Sequence, residues 1–238
     1  MEISRKEWQN YISRLSMINQ QAATLMEDAC VRFGFDNMDV LINYAYGLTT
    51  AYGEAAGALS AEMYDAISAL QKQNNLSAVP AETQSYHEVA KTINGIHKTS
   101  ENPKEYAGAV GRMVKQTGAD TMLQNAQRDG AEWAWVPNGD TCAFCITLAS
   151  RGWQKLSPKL KEVHAEHIHS NCDCTFAIRF NSALEVEGYD PDKYLEMYSN
   201  ADGVTSKDKI NAMRREFYKE NKGKTDIDSS KAEEYIPD

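Results

Sequence analysis

The sequence predicts an α+β fold that is mainly α: an N-terminal long-helix bundle, a small Cys/His-rich α+β module, and C-terminal helices. Three observations predict it. Apolar residues recur at helical spacing through most of residues 1–130. Beyond Gly130 short alternating aromatic segments and turn residues take over. Seven of the ten cysteines and histidines then fall between Cys142 and Cys174. The corresponding partition is a helical domain over 1–130, a module over 131–182, C-terminal helices over 183–222, and a disordered tail over 223–238.

The first helix is expected across roughly the first 35 residues. Ser4 and Glu7 have capping-box spacing, so each side chain can satisfy an early backbone N–H. Trp8, Tyr11, Ile12, Leu15, Ile18, Ala22, Leu25, Met26 and Ala29 form one stripe, which reads as core-facing. Cys30 closes the stripe as a small buried hydrophobe, and Gly34 is the stop. A second helix is expected from about Met38 to Lys72. Gly47, Gly53 and Gly57 lie within it, each costing ~1 kcal/mol relative to alanine. Three such costs imply a close backbone approach along that strip, with Tyr44, Tyr46, Tyr52 and Tyr64 on its flanks. Asn74, Asn75 and Pro80 mark a break. Two further helices follow near Glu82–His97 and Pro103–Arg128, the second with proline at its first position. His87 and His97 read as ordinary surface residues.

In the module, residues Glu132 to Val136 alternate like a strand, Pro137 to Asp140 form a turn, and Cys174 to Phe180 read as a second strand. Asp190 and Pro191 start a helix to about Ser199, and another lies near Ser206–Glu220.

The chain carries 25 basic and 34 acidic residues, a formal net charge of -9. That opposes whole-surface binding of nucleic acid, which needs clustered Lys and Arg. Only residues 142–180 are net positive, at +2, so any contact with DNA is expected to be weak. No run of ~18 apolar residues occurs, and the N-terminus lacks a signal-peptide core. Neither a membrane anchor nor secretion by that route is expected.

The cysteine and histidine cluster comprises Cys142, Cys145, His164, His167, His169, Cys172 and Cys174. Cys142-Ala143-Phe144-Cys145 is a C-x-x-C pair, whose spacing lets a tight turn present both sulfurs to one ion. Zinc takes four such ligands in a tetrahedron. The best set is Cys142, Cys145, His169 and one of Cys172 or Cys174; an all-cysteine set competes. In an extended C-x-C the two side chains point to opposite faces, so joint ligation by Cys172 and Cys174 needs a local turn. Other readings stay open. Paired disulfides would need an oxidising compartment. A thioredoxin-like site would want a βαβ context. A zinc deaminase is suggested by His164-Ala165-Glu166, but the C-x-x-C precedes it and lacks the proline. An HNH-type nuclease is suggested by Glu166-His167-Ile168-His169, but His169 is the last histidine in the chain. The metalloprotease H-E-x-x-H is absent.

Across Pro137–Cys145, Leu148–Gly152 and His169–Thr175 the sequence resembles the minor head (minor capsid) proteins of tailed bacteriophages, relatives of the phage Mu head-morphogenesis protein F. That pattern is a C-x-x-C, a spacer, then a histidine three residues before a C-x-C. It falls here on Cys142, Cys145, His169, Cys172 and Cys174. Ser170 departs from it, where many relatives carry proline. The resemblance implies a virion protein of low copy number, assembled in the host cytoplasm and entering the procapsid by contact with the portal protein and other capsid or scaffold proteins; the residues themselves add the expectation of a structural zinc site. The residues themselves offer no nucleophile, base and orienter set for peptide hydrolysis, so no catalytic residue is expected. Some relatives are labelled capsid maturation proteases, so a metal-dependent hydrolase using His164, Glu166 or His167 is the alternative.

Overall fold

A capping box starts the chain's first helix. In the computed structural model, which describes residues 2–73, 75–137, 141–155 and 174–221, the Glu7 amide donates to Ser4 Oγ and the Ser4 amide donates to the Glu7 carboxylate, both at 3.2 Å. Helix α1 spans Arg5–Phe33 and stops at Gly34, whose φ of 67° lies in the left-handed region that favours glycine. Its predicted stripe faces the core, with Trp8, Tyr11, Ile12, Leu15, Ala22, Met26, Ala29 and Cys30 buried and Ile18 and Leu25 partly so. Burial pushes the Cys30 thiol up to about 11, helped by Glu27, so it packs as a neutral hydrophobe. Just before α1, Glu2–Ile3 forms a two-residue strand, β1.

Helix α2 covers Met38–Leu70, α3 Tyr86–His97 and α4 Pro103–Asp129. Asn102 caps α4, Pro103 takes its first turn, and Gly130 closes it at φ 69°. Helices α1, α2 and α4 pack mutually, and α3 lies against α2 and α4. Helix α4 is the centre of the bundle: every residue from Thr117 to Leu123 is buried. The buried hydroxyls of Thr117 and Thr121 donate to the carbonyls four residues back, at 3.4 and 2.8 Å. That local satisfaction is what lets a polar helix face stay dry.

The close approach expected at the α2 glycines is present at two of the three. A Cβ on Gly53 would stand 2.8 Å from Thr83 Cγ2 and 3.1 Å from Thr117 Oγ1; one on Gly57 would stand 3.3 Å from Pro80 Cβ. Gly47 is different: a Cβ there meets nothing within 4 Å. Tyr44 and Tyr46 are likewise exposed, whereas Tyr64 is buried. Gly47→Ala should therefore stabilise the protein by about 0.5–1 kcal/mol, read from the urea midpoint.

What approaches Gly53 and Gly57 is partly α4 and partly a strap, residues 77–85, that runs without regular structure over α2 and α4. The expected helix start at Glu82 is thus corrected to Tyr86, where Ser85 and Glu88 form a second capping box. The strap's amides explain the later start. Ala78 N donates to Asp65 at 2.7 Å, Val79 N to Asn125 at 2.9 Å, and Ala81 N to Thr121 Oγ1 at 2.9 Å. Those bonds fix the backbone in a non-helical path.

Where α4 ends, Tyr64 donates to Asp129 at 2.8 Å and Arg128 grips the same carboxylate with two bonds of 2.7 Å. Burial alone would raise the Asp129 carboxyl; the bonds from Arg128 and Tyr64 outweigh it and hold it below the usual range. Its stabilisation is complete above the unfolded pKa of ~3.9 and is lost as pH falls through the lower folded value. Asp129→Asn should cost about 1–2 kcal/mol at pH 7. The difference should close as urea midpoints are compared at decreasing pH below ~4.

The sheet residues follow. Strand β2, Glu132–Val136, lies between β3, Gln154–Lys155, and β4, Thr175–Arg179. The β2–β4 pair is antiparallel, from Glu132 opposite Arg179 to Val136 opposite Thr175. Cys174 and Phe180, expected within the second strand, flank it. Strand β5, Glu185–Val186, pairs parallel with β1, so the chain's start is stitched to residues far along it. One continuous core joins α1, α2 and α4 to Trp135, Phe176 and Ile178 of the sheet. A polar tie reinforces the joint: Gln71, at the end of α2, accepts from Phe180 N at 2.8 Å. Within the bundle the Tyr11 hydroxyl bonds Ser60 at 3.0 Å, tying α1 to α2.

Helix α5, Ala143–Ala149, sits against β2. Helices α6, Pro191–Asn200, and α7, Ser206–Asn221, pack on α5. Among the described residues no helix is long and apolar enough to cross a membrane. The tail expected over 223–238 lies outside the described residues.

Candidate metal centre

Cys142 is the N-cap of α5 and Cys145 lies in its first turn. That placement follows from the C-x-x-C spacing, because residues three apart on one helical turn share a face. The two sulfurs stand 3.4 Å apart, and the Cys145 amide donates to Cys142 Sγ at 3.4 Å. A disulfide needs an S–S distance of ~2.05 Å, so the pair is not joined. Two thiolates on one zinc at Zn–S ~2.3 Å would be ~3.8 Å apart across a tetrahedral edge. The observed pair is slightly closer than that and needs only a small adjustment of rotamers. The donor set is soft sulfur on a capped turn, so these two residues fit zinc.

Cys174 immediately precedes β4 and is buried. Pairing of Val136 with Thr175 brings it to the end of the sheet from which the chain leaves for Cys142. It also lines, with Ser16, Asn19 and Lys115, a cleft of about 10 Å³ against α1 and α4, a volume suited to a water at most. Tyr194 of α6 packs against the same core that contains Cys174, and burial raises its phenol above the ordinary range. Among the described residues no group of three or more His, Cys, Asp or Glu is placed to hold a metal. The other candidate ligands, His164, His167, His169 and Cys172, lie outside the described residues, as does Glu166.

A second concavity, an open groove of about 410 Å³, lies between β1, the end of β4 and the segment 182–191, which carries β5 and the first residue of the helix that follows. Its guanidinium, Arg179, is already engaged. Glu132 holds it at 2.7 Å across the β2–β4 pair, and it lies 4.5 Å above the Trp153 ring. Tyr189 packs edge-on to Trp153, and burial pushes its phenol well above the ordinary range. The group reads as a packing cluster closing the sheet edge. Of the histidines in the helical half, His87 is exposed and His97 stands with Nδ1 3.5 Å from the Tyr106 hydroxyl.

The sequence reading missed the platform role of α5. Cys145 and Ala149 enter the main core, while Ala143 and Ile146 enter a second cluster with Ala201 and Met213. The signal was present as small and apolar residues on both faces of one short helix, but its length left the periodicity unreadable.

Fold and cysteine turn together define a mainly helical protein with a small sheet module and a sulfur pair suited to a metal. A family model described as VG15 protein matches residues 2–201, and the chain belongs to that family of phage proteins. The match takes in every element from β1 through α6. No curated protein and no solved structure matches the chain.

Proposed function

We propose that this phage protein is a minor head protein, incorporated into the procapsid through the portal, with a structural zinc site and no catalytic role. The observation that carries the reading is the Cys142–Cys145 turn: two sulfurs 3.4 Å apart on the cap of a helix that packs into the core. Membership of a phage family supports the setting. Cys142, Cys145, His169 and one or both of Cys172 and Cys174 would hold the ion. Bound there, zinc would supply a cross-link in place of core. Four protein ligands leave no open position for a water, which distinguishes a staple from a hydrolytic centre.

Elemental analysis of protein purified without a metal-binding tag tests this. We expect about one zinc per chain, and loss of module structure on chelation, because ligands gathered by folding couple metal affinity to stability. Fully folded, zinc-free protein with two disulfides would end the reading.

A further inference from the structure

Resting on the zinc reading above, we propose that α6 and α7 form a metal-dependent arm. An ion held by Cys142 and Cys145 keeps α5 in place as the platform on which both helices dock, and loss of the ion undocks them.

Helix α5 has seven residues, far below the length at which an isolated helix persists in water. It exists because its two ends and two faces are held. Its N-terminus is capped by a sulfur, Cys142, a weaker acceptor than the oxygen of the usual capping residues. A thiolate bound to a metal stays charged and accepts such N–H bonds more strongly. One face, Cys145 and Ala149, is seated in the main core; the other, Ala143 and Ile146, makes the floor for the C-terminal helices.

Among the described residues the helices rest chiefly on α5. No residue of α6 is fully buried. Met213 of α7 and Ala201 after α6 are buried in the second cluster, with Tyr194, Met197, Ile210 and Phe217 packed around them. Tyr194 also touches the main core, and the Tyr189 hydroxyl just before α6 donates to Ala149 O at 3.1 Å, so that root too ends on α5. The two helices are tied to each other. Lys209 Nζ donates to the carbonyls of Tyr198, Ser199 and Ala201 at 2.9–3.1 Å, closing the end of α6 from α7. They should therefore leave and return as one unit.

The test is hydrogen exchange on the full chain, as purified and after chelation, with zinc counted in each sample. Amides of α5, α6 and α7 should lose protection together by about tenfold or more on zinc removal, while those of α2 and α4 keep theirs. Ile146→Ser, which alters the floor and no ligand, should release α6 and α7 with zinc content unchanged. Protection retained in α6 and α7 after zinc is counted as gone would overturn the inference and leave the zinc reading intact. So would retained protection in Ile146→Ser. Protein that holds no zinc as purified would fail the reading itself, and the arm with it.

Discussion

Gly118→Leu is expected to destabilise the protein by about 3 kcal/mol, the upper end of overpacking costs. Gly118 lies mid-way along α4 where it crosses α2. A Cβ there would stand 2.9 Å from Ser60 Oγ, 3.4 Å from the Ala56 carbonyl oxygen and 3.5 Å from a Leu15 methyl. Two of those neighbours belong to α2 and one to α1, so the whole bundle must shift to admit a side chain. Ser60 cannot swing away cheaply, because it bonds the buried Tyr11 hydroxyl. Urea unfolding of the variant measures the effect. Gly53→Leu is the comparison: its tightest neighbour is a Thr83 methyl on the strap, which can yield, and the expected cost is about 1–2 kcal/mol. An unchanged midpoint for Gly118→Leu would mean that α4 does not seat on α2 as described.

Cys145→Ser should have the other large effect, and it separates a staple from an enzyme. A structural zinc site carries apparent binding free energies of about 10–16 kcal/mol in small zinc-finger peptides, coupled to folding. Losing one of four ligands forfeits much of that. On the proposed reading the variant should bind no zinc, and head incorporation and plaque yield should fall in a complementation assay. Glu166→Gln removes the carboxylate nearest the cluster's histidines in sequence, the natural general base of the hydrolase alternative. A staple has no use for it, so zinc content, incorporation and infectivity should stay near wild type. Normal incorporation and zinc content with no infectious particles would overturn the non-enzymatic reading.

How legible the candidate site was depends on the residue. Cys142 and Cys145 were readable as a pair because a C-x-x-C on a capped turn is a local geometry. Cys174 is brought to the same end of the sheet by strand pairing across some forty residues, which no local pattern encodes. His164, His167, His169 and Cys172 rest on spacing and resemblance alone.

The sequence by itself determined the limits of α1 and α4. Ser4 with Glu7, Gly34, Asn102 with Pro103, and Gly130 mark starts and stops, because caps are chemistry between residues a few positions apart. It also determined the inward face of α1, since a clean 3.6-residue period needs no knowledge of the partner. Tertiary structure alone decided the rest. Gly47 and Gly53 look alike in sequence, yet one faces open space and the other a strap from thirty residues on. Helix α4 reads as half polar, yet it is buried all round from Thr117 to Leu123, because its hydroxyls turn to its own carbonyls and Thr121 and Asn125 also take the strap's amides. The pairing of Glu2–Ile3 with Glu185–Val186 joins residues about three-quarters of the chain apart. Each of these features depends on which distant groups arrive to satisfy a hydrogen bond or fill a space, and that is settled only when the chain has packed.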